Sequence, residues 1–600
     1  MTKKSLKILK ISRTFNRRLF YSVSVLVIIG CVIVSQLIWY QIINSESTAI
    51  KAKNSRIRTE TIPAARGNII DANGIILATT VERYIIYVDQ ISAEKFIPVI
   101  CTGNNKSICN GDLNIVGAST GPEAVGKILS PILKMSAKDI QDKATGKLGY
   151  SVVEKNITPE VERQIQKLNM SYIIGAVMTP KRAYPDGSIA GNIVGAVNDA
   201  EKGSAGIEQM MDSTLSGKDG KISYESGLLG QEIPTGYVDV ENATSGKDVQ
   251  LTLDQDVQYQ VQEALNQGCK DNSADYGMAV VQEVKTGKIL AIADSFSPSA
   301  GSDEAALHIS KTVTDVFEPG STGKVVTVAG LLENNYANPL SQYEVPDHWT
   351  DSAGQKFQDA ETHGVQKLTL TGILANSSNV GTLLASQSVS NKQRYEWLVN
   401  AGFGKNTGLG LPGESSGLVI PYQDWDERTR QTVMFGQAVA VNAVQATSFF
   451  SAIGNDGVRV TPSIIAGVKD GENFDPIDEP KKRQVVSSVA AKKTLEMMES
   501  VVTEGMVKNF VIPGYRMAGK TGTAQIADAS GKLNDIMASF IGVGPVQDAK
   551  WTVSVFYKNP RTQYFGALAA GPVFKKIMTF LLSKYGVAPS PGGAKYATTW

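Results

Sequence analysis

The sequence predicts an α+β protein that is membrane-anchored, with an elongated noncatalytic pedestal domain followed by a larger second domain. Three observations predict it. Residues 19–43 carry no charged side chain, and the segment before them holds Lys3, Lys4, Lys7, Lys10, Arg13, Arg17 and Arg18 without one acid. Residues 44–250 mix short helices with Gly-rich turns and carry no obvious catalytic chemistry. From residue 251 the pattern changes to helix, hairpin, a long helical middle and further strands near 536–570. The expected organisation is a cytoplasmic tail (1–18), a transmembrane helix (19–43), a membrane-proximal noncatalytic pedestal domain (44–250), a second domain (251–585) and a flexible tail (586–600).

The apolar run has 25 residues, which as a helix spans ~37 Å and crosses a ~30 Å hydrocarbon core with some tilt. Trp39 and Tyr40 sit near its outer end, where amphipathic aromatics favour the interface. A cleaved signal peptide would have a shorter apolar region and a small-x-small cleavage site, and Gln41-Ile-Ile-Asn-Ser-Glu-Ser47 does not supply one. The basic excess ahead of the span predicts a cytoplasmic amino end, with residues 44–600 extracytoplasmic and without an ATP pool. An oxidising exterior permits a disulfide between Cys101 and Cys109, although two separate thiols fit the sequence equally well.

Composition narrows the chemistry further. The chain has 600 residues, too many for one ordinary domain. Lys and Arg total 59 against 58 Asp and Glu, so no basic surplus points to nucleic acid. Histidine occurs three times, as His308, His348 and His363, which leaves a Ser-His-Asp or Cys-His machine few places. The four cysteines lack paired CxxC spacing, so neither a metal nor any other cofactor is expected.

Element by element, residues 44–62 read as a polar stalk. Arg66 to Ala78 reads as strand, tight turn and strand, with Asn73-Gly74 at the turn. Residues 96–150 look less regular and inserted. Val257 to Leu265 has helical period. Gly277 to Val284 and Lys288 to Ala293 form a β-hairpin through Lys285-Thr286-Gly287.

Three strings mislead. Gly514 to Thr521 fits a P-loop, but Gly522, Thr523 and Ala-Gln-Ile follow where a phosphate-binding helix would have to start. Gly413-Glu-Ser415-Ser-Gly417 fits a nucleophile elbow, but no histidine follows residue 363, so it reads as a surface loop. Ser92-Ala-Glu-Lys95 fits Ser-x-x-Lys without partner motifs.

The informative set lies elsewhere. In Pro319-Gly320-Ser321-Thr322-Gly323-Lys324, an apolar helical segment follows, Ser321 falls at its first turn and Lys324 stacks three residues on. A serine hydroxyl needs a base, and a lysine serves if burial and nearby positive charge lower its pKa. Ser377-Ser378-Asn379, after helical residues 368–375, is the sole Ser-x-Asn of the chain. Ser377 offers a proton relay, and Asn379 an amide for a substrate carbonyl. Lys520-Thr521-Gly522-Thr523 reads as an edge strand offering a cation, hydroxyls for a carboxylate and a glycine that admits a substrate backbone.

This ordered trio resembles that of the penicillin-interacting serine acyltransferases, and the chain is most similar to the class B penicillin-binding proteins, in their division-type (FtsI-like) branch. The resemblance extends to Arg66-Gly67, Asp71, Gly74 and Leu77-Ala78, to Gly206-Ile207-Glu208, and to Asp254, Phe435-Gly436-Gln437 and Pro572-Val573-Phe574. It implies a penicillin-binding transpeptidase (serine β-lactamase-like) fold for 251–585, and a peptidoglycan D,D-transpeptidase active in septal cell-wall synthesis during division. By motif, Ser321 attacks the penultimate D-Ala carbonyl and expels terminal D-Ala, with Lys324 as base. Ser377 passes a proton to the leaving amine and Asn379 orients the acyl chain. Lys520, Thr521 and Thr523 hold the terminal carboxylate, Gly522 lets the substrate backbone approach, and the amides of Ser321 and Thr523 form the oxyanion hole. The implied partners are stem peptides ending in D-Ala-D-Ala, β-lactams, the cytoplasmic membrane, a polytopic peptidoglycan glycosyltransferase and other division proteins. A D,D-carboxypeptidase, and a non-enzymatic wall-assembly scaffold or β-lactam sensor, are the alternatives. The intact Ser321 and Lys324 speak against a scaffold. A bifunctional class A enzyme would need catalytic acids of a glycosyltransferase between 44 and 250, and none is evident.

Overall fold

A computed structural model describes residues 13–44, 46, 47, 50, 56–102, 104, 105, 108–227, 233, 235–505, 508–526, 534–590 and 592–600. Of the basic amino-terminal residues, Lys3, Lys4, Lys7 and Lys10 lie outside the described set. The chain divides into two compact units, residues 1–64 with 218–244 and residues 65–217 with 245–600.

In the first unit, the helix Arg13–Ile38 continues into a wider turn, Trp39–Ile43. The segment Phe15–Ile43 is long and apolar enough to cross a membrane, and its large apolar side chains are exposed, Leu26 and Ile28 among them. The remainder is a three-stranded antiparallel sheet of Ile57–Ile62, Gly220–Glu225 and Val238–Glu241.

The second unit contains residues on both sides of the expected boundary at 250. Asp248–Leu251 pairs parallel with Ile69–Ile70 and antiparallel with Ile465–Asp470, so one sheet draws strands from both halves of the sequence. Asp71, fully buried, accepts from the amides of Asn73 and Ile75 at 2.8 Å and of Gln255 at 3.1 Å. It therefore shapes the turn read from Asn73-Gly74 and holds it to the first helix of the downstream half. At that turn only Gly74 takes a positive φ (+86°). Nearby, Glu208 lies between two guanidinium groups, Arg66 Nε at 2.7 Å and Arg182 Nε at 2.6 Å, with all three side chains buried.

Residues 96–150 are more regular than the sequence suggested. The helices Gly121–Leu133 and Ala137–Ala144 pack with the strand Ile76–Val88 around a separate core of Ile86, Phe96, Val125, Leu129, Ile140 and Val153. Ala124, Val125, Ile128 and Leu129 carry that helical period. Cys101 and Cys109 form a disulfide.

The downstream half is built on a five-stranded antiparallel sheet, ordered Ile289–Asp294, Tyr276–Glu283, Trp551–Lys558, Asp535–Gly544 and Ala518–Ile526. The central strand shows the period of two. Tyr557 reaches the helix Gln255–Asp271 through the Leu265 carbonyl. Ser554, on the opposite face, bonds Thr447 of the helix Ala443–Gly454 at 2.6 Å. The terminal helix Gly566–Lys584 packs with Gln255–Asp271, while Ser488–Thr503 packs with both Lys324–Glu333 and Ala443–Gly454. Local caps fix these starts, such as Asp254 accepting from the amides of Asp256 and Val257.

The tail 586–600, expected to be flexible, is docked. The Ser590 hydroxyl accepts from the Arg516 amide at 2.8 Å, and the Thr598 carbonyl from the Thr369 amide at 3.0 Å. Lys595 pairs with Glu496 at 3.0 Å, and Lys367 lies 4.7 Å over the Trp600 ring. The Pro- and Gly-rich start suggests disorder, but Tyr596, Trp600 and a bridge between Thr599 and Leu368 supply the surface and backbone pairing that hold the segment.

Candidate active site

Ser321 lies on a 3₁₀ turn, Gly320–Gly323, that runs directly into the helix Lys324–Glu333. Three residues per turn bring positions i and i+3 into line, closer than an α-helix would. Lys324 Nζ accordingly lies 3.2 Å from Ser321 Oγ. The turn is clamped against Phe435-Gly436-Gln437: the Gly320 amide donates to the Gly436 carbonyl at 2.9 Å, and a Cβ on Gly436 would fall 2.1 Å from the Gly320 oxygen.

Ser377 occupies a corner between the helices Leu370–Ala375 and Asn379–Ala385. Its φ of +59° is left-handed, a conformation that costs a non-glycine residue of order 1 kcal/mol. The corner turns both Ser377 oxygens inward. Lys324 Nζ donates to its carbonyl oxygen and lies 3.3 Å from its hydroxyl. Ser378 caps the second helix by accepting from the Gly381 amide, and Asn379 Nδ2 donates to the Gln358 carbonyl at 3.1 Å.

Lys520 lies on Ala518–Ile526, which is the edge strand of the sheet and not the helix a P-loop requires. Its ammonium, fully buried, donates to Ser377 Oγ at 2.9 Å. Alternation along the strand brings Thr521 and Thr523 to the cleft, and Thr523 Oγ1 accepts from the Gly566 amide at 3.1 Å. Gly522 has a packing reason that the sequence reading did not name. A Cβ there would fall 2.4 Å from Ser539 Oγ and 3.1 Å from the Pro319 carbonyl, so glycine lets the strand lie against the Ser321 turn.

The structure thus brings all eight predicted residues to one place. They border an open cleft of about 550 Å³ lined by Ser321, Ser377, Asn379, Thr521 and Thr523, with Lys324 and Lys520 buried behind it. Burial pushes the Lys324 pKa down to about 7, against the opposing pull of Asp359. Lys520 is pushed well below the ordinary lysine range by burial, and then by the charge of Lys324. The misleading strings end elsewhere: Ser415 is in a loop and Ser92 in the short helix Gln90–Glu94.

Sequence reasoning missed Asp359 and His363, which line the same cleft with Gln437 and Glu504. The i,i+4 spacing of Asp359 and His363 was visible, but nothing local tied it to Ser378, nineteen positions on.

An antiparallel sheet backed by helices, with a Ser-x-x-Lys turn, a serine corner and a lysine edge strand at one cleft, is the architecture of the serine acyltransferases. A model of the penicillin-binding protein transpeptidase domain matches residues 277–579, and one of the penicillin-binding protein dimerisation domain matches residues 61–251. The penicillin-binding protein PbpB of Mycobacterium tuberculosis is 32% identical over 589 residues, covering 95% of this chain and 85% of that protein. The peptidoglycan D,D-transpeptidase FtsI of Escherichia coli K12 is 28% identical, covering 93% and 91%. The crystal structure of a peptidoglycan synthetase from Bifidobacterium adolescentis superposes with a TM-score of 0.72 at 39% identity, covering 91% of this chain and all of that one. The chain belongs to the penicillin-binding protein family, in its class B.

Proposed function

We propose that the protein is a peptidoglycan D,D-transpeptidase of septal wall synthesis, and that β-lactams acylate it at the serine that performs the reaction. One observation carries the reading: Ser321 Oγ lies 3.2 Å from a fully buried ammonium, Lys324 Nζ, at an open cleft. With Lys324 held near neutrality, a sizeable neutral fraction exists at physiological pH, and that form takes the Ser321 proton. Ser321 Oγ attacks the carbonyl of the penultimate D-Ala. The amides of Ser321 and Thr523 bind the oxygen that gains charge. As the intermediate collapses, the C–N bond to terminal D-Ala breaks, and Ser377, between the two lysines, passes a proton to the departing amine. Asn379 orients the acyl chain, and Lys520, Thr521 and Thr523 receive the terminal carboxylate, with Gly522 keeping their strand close to the nucleophile. The amine of a second stem peptide then attacks the ester, forms the cross-link and frees Ser321.

The basic residues before the apolar helix support an amino end in the cytoplasm and a catalytic domain outside it. The similarity to FtsI and PbpB supports partners among the division proteins, including a polytopic peptidoglycan glycosyltransferase.

The test is incubation of the full chain in detergent with a donor pentapeptide ending in D-Ala-D-Ala and an amine acceptor. Release of D-Ala together with a cross-linked product, both absent in Ser321→Ala, is expected. Release of D-Ala with no cross-link would favour a carboxypeptidase, and no turnover from folded protein a scaffold.

A further inference from the structure

Behind the Ser377–Asn379 corner lies a carboxylate that none of the steps above uses. Asp359 follows the hairpin His348–Thr350 and Lys356–Gln358, and its side chain is 7% exposed. It accepts from the Ser378 hydroxyl at 2.6 Å and from the Val380 amide at 2.9 Å. Its Oδ2 also lies 3.1 Å from Nε2 of His363, whose ring nitrogen Nδ1 faces the Gly364 carbonyl at 2.6 Å. One carboxylate therefore ties together the residue between Ser377 and Asn379, the first turn of the following helix and a half-buried histidine at the cleft wall.

We infer that Asp359, oriented by His363, is a positioning residue for acylation, which fixes the Ser377–Asn379 corner through Ser378 and Val380 and supplies the negative charge that the Lys324 base experiences. The inference rests on the transpeptidase reading of Ser321 and Lys324 and adds to it a pair of residues that act through the Ser377–Asn379 corner. The corner needs such a brace because Ser377 holds a left-handed φ of +59° and must keep its hydroxyl between two ammonium groups.

The charges around this pair define its behaviour. Lys324 faces Ser321 and Ser377 by hydrogen bond, and Asp359 and Lys520 by charge. Asp359 faces Ser378, Val380 and His363. His363 in turn faces Asp359 and Asp347, its own amide donating to Asp347 Oδ2 at 3.3 Å, and Glu361 lines the cleft beside it. Burial opposes a charge on His363, but the Gly364 carbonyl and the two aspartates outweigh it and raise its pKa. A protonated His363 cancels part of the field of Asp359 at Lys324, whereas a neutral one leaves that field intact.

The test is the rate of acylation by benzylpenicillin, measured from pH 5 to 9 on the full chain in detergent, with binding and acylation steps separated and thermal unfolding in parallel. Asp359→Asn keeps the shape but loses the charge. Its acylation rate is expected to fall at least ~10-fold, and the midpoint of its pH profile to move to lower pH. His363→Gln removes the compensating cation, and its midpoint is expected to move to higher pH with the rate at pH 8 near that of the parent. Asp359→Glu is expected to restore part of the rate and the parent midpoint. A purely structural role would lower the rate equally at all pH values and leave both midpoints unchanged, and that result would overturn the inference. If Asp359→Asn does not fold, the partly buried His363 still decides: an unmoved midpoint in His363→Gln rejects the proposal. Absence of acylation in the parent chain would instead reject the transpeptidase reading itself.

Discussion

Ser377 Oγ lies 2.9 Å from the ammonium of Lys520, a contact that joins residues 143 positions apart in the chain. The same hydroxyl lies 3.3 Å from Lys324 Nζ. Burial pushes both lysines below their ordinary range, and the charge of Lys324 pushes Lys520 further down. Ser377 is thereby placed to accept from one nitrogen and donate toward the other. Its replacement by alanine is expected to leave the protein folded and to slow acylation by about 10²–10⁴-fold. Stopped-flow measurement with a chromogenic cephalosporin checks this, and a loss below tenfold would remove Ser377 from the proton path.

The pH dependence has a definite sign. Lys324 acts as base only when neutral, and its pKa is held down to about 7. The acylation rate is expected to climb as pH rises through about 7 and to level off above it, as a plot of rate against pH at saturating β-lactam would record. A rate that falls across that range would exclude a lysine base.

Lys324→Met is expected to abolish acylation and yet raise the midpoint of unfolding. The folded-state pKa is depressed relative to 10.5, so between about 7 and 10.5 the unfolded chain binds more protons and stability rises with pH. The buried lysine thus destabilises the protein most at or below pH 7, by about 2–4 kcal/mol once its lost hydrogen bonds are allowed for. Scanning calorimetry at pH 7 and pH 10 checks it, since the gap between variant and parent should narrow at the higher pH.

Glu208→Gln removes the carboxylate that lies between the buried guanidinium groups of Arg66 and Arg182 and leaves Arg66 paired with Asp212 alone. Leaving buried charge uncompensated costs about 3–5 kcal/mol. A fall of that size in denaturant unfolding is expected, without a change in the pH profile of acylation, because Arg66, Arg182 and Glu208 are not among the residues that line the Ser321 cleft.

Gly372→Ala tests the docked tail. The new Cβ would fall 1.8 Å from the Thr598 carbonyl oxygen, a contact that must displace the tail from the strand Gln366–Thr369. Faster trimming of the carboxyl terminus by carboxypeptidase Y is expected. So is a several-fold slower acylation, because this strand leads through the helix Leu370–Ala375 to Ser377.

Much of the site was legible because the chemistry sits in short local strings. Ser321 and Lys324 are three residues apart, and Gly522 and Thr523 after Lys520-Thr521 pointed to a strand. The contacts that align the strings were not legible. Lys520 meets Ser377 only because the edge strand Ala518–Ile526 lies against the Ser321 turn, and that approach depends on Gly522 having no Cβ. The fold was read well where alternation or helical period was strong, as in Gly277 to Ala293. It was misread where composition misled: Pro589, Gly592 and Gly593 suggested a free tail, and the helical period of 121–133 was overlooked in a region taken as irregular. The change of pattern at 250 coincides with the end of the dimerisation-domain match at 251, while the strand at that place pairs to both sides.

The most direct test of the central claim is mass mapping of the full chain after reaction with benzylpenicillin, beside Ser321→Ala. One adduct per chain, located to the peptide containing Ser321 and lost in the variant, is the predicted result. An adduct on another residue, or labelling that persists in folded Ser321→Ala, would contradict Ser321 as the nucleophile.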